Sequence, residues 1–154
     1  MATEFLMNEK IEYFEIWEKS PRLPESIQNK LTELSSDEKI KEMMDYYILN
    51  EDLLTLAAAI SSVGVSPIEP IHAIQRNGKL VIFDGIRRYM AIQVLLYPAL
   101  ASNQYHKIKS KELYEEMSEE NRKTLKDIPV IKYHPSIYTL EFASQKTVVN
   151  QLVF

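Results

Sequence analysis

Cysteine is absent from the 154 residues. Its absence excludes disulfides, thiolate metal sites and a cysteine nucleophile. Histidine occurs only at His72, His106 and His134. None of these has the spacing of a helical zinc pair, so a zinc centre is not expected. No apolar run is long enough to cross a bilayer, which argues against a membrane partner. The opening "MATEFLMNEK" lacks the basic-then-apolar order of a secretory signal, so the expectation is a cytoplasmic protein. There is no internal repeat and no low-complexity tract. Glycine is scarce too, with three in the whole chain.

What is present is an ordinary globular composition, 45% hydrophobic and 26% charged, in a length that allows a real core. The net charge of −4 hides an asymmetry. Residues 1–56 carry 13 acids against 6 bases, and residues 57–154 carry 9 against 12. The acidic half repels nucleic acid and the other half is only mildly basic, so the charge does not suggest nonspecific duplex binding by this chain alone.

Hydrophobic spacing predicts a helical N-terminal extension over 1–49 packed on a mixed α/β core over 50–154. In the extension, "FLMNEKIEYFEIWEK" reads as an amphipathic helix with an acidic outer face. Pro21 and Pro24 then break the helix. "SIQNKLTELS" and "SDEKIKEMMDYYI" follow as further helices, the second with Ser36 as its N-cap. In the core, "NEDLLTLAAAISSVG" predicts a helix over 51–63, with Asn50 as cap, acids in the first turn and Gly64 after the last. "IEPIHAIQ", "RNG" and "KLVIF" predict a hairpin with strands at 70–74 and 80–83. A helix over 85–97 comes next. Residues 99–126 read as a loop and then one charged helix, together a helical insertion. "IPVIKY" predicts a strand at 129–133, and "SIYTLEFASQKTVVNQLVF" a helix to the end. The result is a small sheet flanked by helices.

The anomaly lies in "FDGIRRYMAIQVL". Asp84 and Gly85 end a strand, and Arg87-Arg88 sit in the first turn of the next helix. That end of a helix carries positive partial charge and free N–H groups, so two cations there cost about 0.3–1 kcal/mol each when exposed. An anion reverses the sign. Glycine lets a ligand approach the backbone, and arginine clamps phosphate oxygens bidentately. The rival reading is that Asp84 caps the helix while the arginines pair with the acidic N-terminal helices.

The stretch from Asn50 to Tyr133 resembles the N-terminal domain of ParB-type proteins, of the ParB/sulfiredoxin fold. The resemblance rests on "AAAISSVGVSPIEPIHAI", then "FDGIRRYMAIQVL", then "DIPVIKY", in the family's order. It implies a nucleoside-triphosphate pocket for CTP or ATP with Mg²⁺. It also implies a role in a DNA-related process of bacteria or phages, such as partition, defence or a mobile element. DNA itself would be reached through a further domain or partner, and a homodimer stays open. Gly85, Arg87 and Arg88 match the family's Gly-x-Arg-Arg phosphate motif. Gly64 matches the glycine after the first helix. Pro70 matches the proline of the strand start, with Glu69 replacing the usual Gln. Asn150 matches the Asn of a later Glu-Asn pair, whose Glu is Val149 here. Ile86 fills the motif's variable position and can neither take a proton nor hold a metal, which weakens an NTPase reading. Sulfinic-acid repair is excluded because the cysteine is missing.

Two other function classes stay open at this point. One is a phosphotransferase or nuclease using the same pocket. The other is a degenerate structural or interaction module. Asp84 is either a magnesium ligand or a cap, and Glu69 either a site carboxylate or a surface one. Tyr46 and Tyr47 could line a base pocket or simply pack. Tyr89 reads as a packing residue, and His72 as half-exposed on its strand.

Overall fold

The structure is a computed structural model and describes residues 4–134. The expected terminal helix therefore lies outside the described residues, as does Asn150. The described residues form a mixed α/β fold with five strands and six α-helices. The described chain forms two compact units. One comprises residues 4–17, 66–86 and 126–134, and the other residues 18–65 and 87–125. No described helix is long and apolar enough to cross a membrane.

The first unit is the sheet. Its strands are β1 (Glu4–Lys10), β2 (Phe14–Ile16), β3 (Ile71–Arg76), β4 (Lys79–Asp84) and β5 (Asp127–Tyr133), in spatial order β1-β5-β3-β4-β2. The expected hairpin is β3–β4. Asn77 and Gly78 both take positive φ, 52° and 77°, the conformation that Asn-Gly favours because it matches strand twist. β3 runs parallel to β5, β1 antiparallel to β5, and β2 parallel to β4. Period-two alternation places Ile74, Val81, Phe83 and Tyr133 in one buried cluster, with Trp17 and Ile131 packed against it. Phe83 meets Tyr133 edge to face at 5.0 Å between ring centres.

The helix expected over residues 5–19 does not form. Those residues are β1, a single 3₁₀ turn (Ile11–Tyr13) and β2. At about 100° per residue, Phe5, Ile11, Phe14, Ile16 and Trp17 scatter around a helix and make no single apolar stripe. In extended form, Phe14 is buried, Glu15 exposed and Ile16 half-buried. Trp17 N–H then donates to Ile82 O at 3.0 Å.

The second unit is helical. It holds α1 (Glu25–Leu31), α2 (Ser36–Asn50), α3 (Leu53–Val63), α5 (Gln104–Glu116) and α6 (Glu119–Thr124), together with α4 (Ile86–Leu96) from Arg87 onward. Ser35 rather than Ser36 caps α2, because its Oγ is the one that accepts from Glu38 N–H, three residues on, and Ser36 is already the first helical residue. α2 runs through Asn50 because Met43, Met44, Tyr47 and Ile48 continue its buried face. Asn50 is therefore the last residue of α2 rather than the cap of α3, and Asp52 takes the N-cap place. The loop and single charged helix expected over 99–126 are two helices instead. Asn103 Oδ1 accepts from Tyr105 and His106 N–H and starts α5 early, and Ser118 Oγ accepts from Asn121 N–H and starts α6. Both caps satisfy donors that a helix start otherwise leaves unpaired.

Phe83 is 1% exposed. Replacing it with Ala removes a ring from the sheet cluster and should cost about 3–5 kcal/mol of stability. Urea denaturation followed by circular dichroism measures this.

Candidate functional site

The candidate site is built on the turn from Asp84 to Arg88. β4 is apolar from Leu80 to Phe83 and buried throughout. Asp84 ends it with a side chain only 6% exposed. Gly85 then takes φ +83°, and Ile86, 3% exposed, begins α4. A Cβ on Gly85 would stand 3.2 Å from Ile71 Cα and 3.3 Å from Ile71 Cγ1. Two constraints thus select glycine here, the left-handed backbone and the close approach to β3. The buried Ile86 side chain is a packing residue.

In the sheet unit, that approach brings Asp84 and Gly85 beside the start of β3. Asp84 pairs with His72 in the β3–β4 register. Pro70, half-buried, and Glu69, exposed, immediately precede Ile71. His72 is half-buried, and its Nδ1 lies 2.9 Å from the hydroxyl of buried Tyr133. The reading of residues 129–133 as a strand put Tyr133 at its end, but only the β3–β5 pairing brings it to His72.

In the helical unit, Gly64 closes α3, its N–H donating to Ile60 O at 2.7 Å. A Cβ there would meet Asn121 Oδ1 and Thr124 Oγ1, each at 3.1 Å. Thr124 Oγ1 also accepts from Val65 N–H at 3.0 Å, and Asn121 Nδ2 donates to Ser62 O at 3.2 Å. Gly64 therefore sits where the end of α3 packs on α6. Tyr46 and Tyr47 lie together on α2, ring centres 5.4 Å apart and planes nearly perpendicular. Burial, then Glu51 and Tyr46, push the Tyr47 hydroxyl above its ordinary value, while Arg22 pulls it down. Burial and then Glu51 raise Tyr46 as well. Both phenols are neutral donors near neutral pH.

Arg87 is half-buried, and its guanidinium is engaged on one edge. Nε donates to Glu51 O at 2.6 Å and Nη2 to Asp52 O at 3.0 Å. The acceptors are backbone carbonyls where α2 gives way to α3, not the carboxylates of the acidic helices. Glu51 is the C-cap of α2, and carbonyls at a helix C-terminus lack intrahelical donors and carry negative partial charge, so a cation is favoured at Glu51 O; Asp52 O belongs to the N-cap of α3. Spacing could not reveal this contact, because every residue has a carbonyl and nothing in a side-chain pattern marks it. Arg88 is half-buried and points about 100° further round the helix.

Among the described residues, no cluster of three or more His, Asp or Glu side chains is placed to hold a metal. Magnesium in nucleotide sites needs less. It keeps several waters and takes one or two carboxylates plus substrate phosphates. No family model, curated protein or solved structure matches the chain.

Gly78 and Gly85 make a controlled pair. A Cβ on Gly78 would meet nothing within 4 Å, so Gly78→Ala should cost only the backbone term, about 1 kcal/mol. Gly85→Ala adds the clash with Ile71 and should cost about 1–3 kcal/mol more. Equal losses in chemical denaturation would show that Ile71 yields freely.

Proposed function

We propose that this chain is a ParB-like domain that binds a nucleoside triphosphate, CTP or ATP, and serves a DNA-related process in the cytoplasm. Partition, defence and mobile-element functions all fit that class. The observation that supports it is the turn itself, in which strand β4, a left-handed Gly85 and the start of α4 are followed at once by Arg87-Arg88. Such a turn offers free N–H groups, positive dipole and permanent cations to one anion. Asp84 would hold Mg²⁺ on the phosphates, and the metal would neutralise their charge. Ile86 offers no proton and no ligand, so the reading is binding rather than hydrolysis. DNA contact belongs to a further domain or partner, in keeping with the acidic balance of residues 1–56.

One observation favours a second reading, a structural module without ligand. Arg87 already has acceptors, Glu51 O and Asp52 O. On that reading the arginine pair stabilises the helical unit and nothing more.

Titration of the four nucleoside triphosphates with Mg²⁺ separates the two. The expected result is saturable binding of CTP or ATP. Arg88→Ala should weaken it by about 2–4 kcal/mol, the range for losing a charge-assisted contact in a partly desolvated site. The melting temperature should change little, since a cation leaves the positive end of a helix. Absence of binding by all four, or equal affinity in Arg88→Ala, would establish the structural module.

A further inference from the structure

β1 is an edge strand. β5 pairs with it along one side through all seven residues, from Glu4–Tyr133 to Lys10–Asp127. Along its other side no described strand pairs with it. In an antiparallel ladder alternate residues turn their N–H and C=O groups away from the partner strand, so this side carries a row of donors and acceptors outside the ladder. Proteins blunt such an edge by keeping it short, by a bulge or by proline. The opposite edge is blunted by length, since β2 has three residues. β1 has seven, contains no proline and keeps an unbroken register with β5.

Its exposed side chains are apolar at the middle. Leu6 is 62% exposed and Met7 42%. Leu6 stands opposite Ile131, and residues opposite each other share a face. Ile131 packs against the cluster of Ile74, Val81, Phe83 and Tyr133, so Leu6 carries that apolar face out to the edge. Met7 lies on the other face, opposite buried Val130. The sheet is thus apolar on both faces at the point where its described strands stop.

The sequence of this edge, EFLMNEK, is complementary to itself. A second copy laid antiparallel, Met7 against Met7, aligns all seven residues. It brings position 4, an acid, opposite position 10, a base, at both ends of the pair. The two copies of Leu6 become diagonal neighbours within side-chain reach. Glu9 needs no partner from the second copy, because Lys132 already meets it at 3.2 Å. A shift of two residues either way loses ladder bonds and both opposite-charge pairs.

From this we infer that β1 is a self-recognition edge: two copies of the chain pair antiparallel through it about a two-fold axis at Met7. The two five-stranded sheets become one of ten strands, and the interface is isologous. One strand pair buries less than the about 1,000 Å² of a lasting interface, so the dimer is weak and exchanges. The inference uses no residue of the 84–88 turn and stands apart from the nucleotide reading.

The experiment follows the full chain by sedimentation velocity from micromolar to several hundred micromolar, with circular dichroism of each variant. Wild type should pass reversibly from monomer to dimer. Leu6→Lys places a cation on the edge and should weaken dimerisation about tenfold or more. Glu4→Lys and Lys10→Glu each turn two attractions into two repulsions and should weaken it about tenfold. The double variant Glu4→Lys/Lys10→Glu should regain wild-type affinity. Positions 4 and 10 stand about 20 Å apart along one strand, so this rescue arises only between copies. The chain has no cysteine, and opposite residues lie within disulfide reach. Mild oxidation should therefore link Met7→Cys about tenfold faster than Tyr13→Cys, whose thiol is as exposed but lies outside β1. A chain that stays monomeric throughout overturns the inference. A dimer that Leu6→Lys leaves intact uses another surface and overturns it too. So does a double reversal that fails to rescue, or equal linking rates in the two cysteine variants. Should Leu6→Lys fail to fold, the charge reversals and the cysteine pair decide alone.

Discussion

Gly85 lies against Ile71 with no space for a side chain of its own. The left-handed turn there ends β4, fixes where α4 starts and decides which residues occupy its first turn. A larger residue would have to push back the backbone of β3, and β3 is the central strand, with β5 on one side and β4 on the other. The point at which β4 ends and the burial of Ile86 at the start of α4 go with that one close approach.

The arginine pair shows how one local oddity can have two causes. Cations in the first turn of a helix are electrostatically unfavourable where they stand. Arg87 finds compensation in Glu51 O, at the opposite pole of another helix, where carbonyls rather than N–H groups are unpaired. The carbonyl end of α2 thereby offsets part of what the amino end of α4 would cost. This contact accounts for Arg87 without any ligand.

Legibility in the sequence followed the range of the interactions. β3, the Asn77-Gly78 turn, β4, Gly85 and α4 were all readable, since turn chemistry and a switch of period from two to 3.6 are local signals. The same holds for Gly64 at the end of α3. β1 and β2 carry no such local signal, because their partners are remote in sequence. β1 pairs with β5 and β2 with β4, and neither partner leaves a mark near the N-terminus. The early start of α5 hung on one cap, Asn103, within a stretch of loop-like composition. At the site, glycine and charge were visible as residue types. The His72–Tyr133 bond and the carbonyl acceptors of Arg87 depend on tertiary placement and were not.

The strand order also sets a timetable. β1 and β2 are the first strands synthesised, yet they occupy opposite edges of the sheet, with three later strands between them. Lys132 reaches Glu9 across 123 positions of sequence, at 3.2 Å. Until residues 127–133 leave the ribosome, β1 has no neighbour to pair with, and its backbone donors and acceptors stay with water. The β3–β4 hairpin can form at once, because its closure is local. Completion of the sheet therefore comes last and closes the longest loop in the chain. A topology of this kind folds more slowly than its helical content alone would suggest.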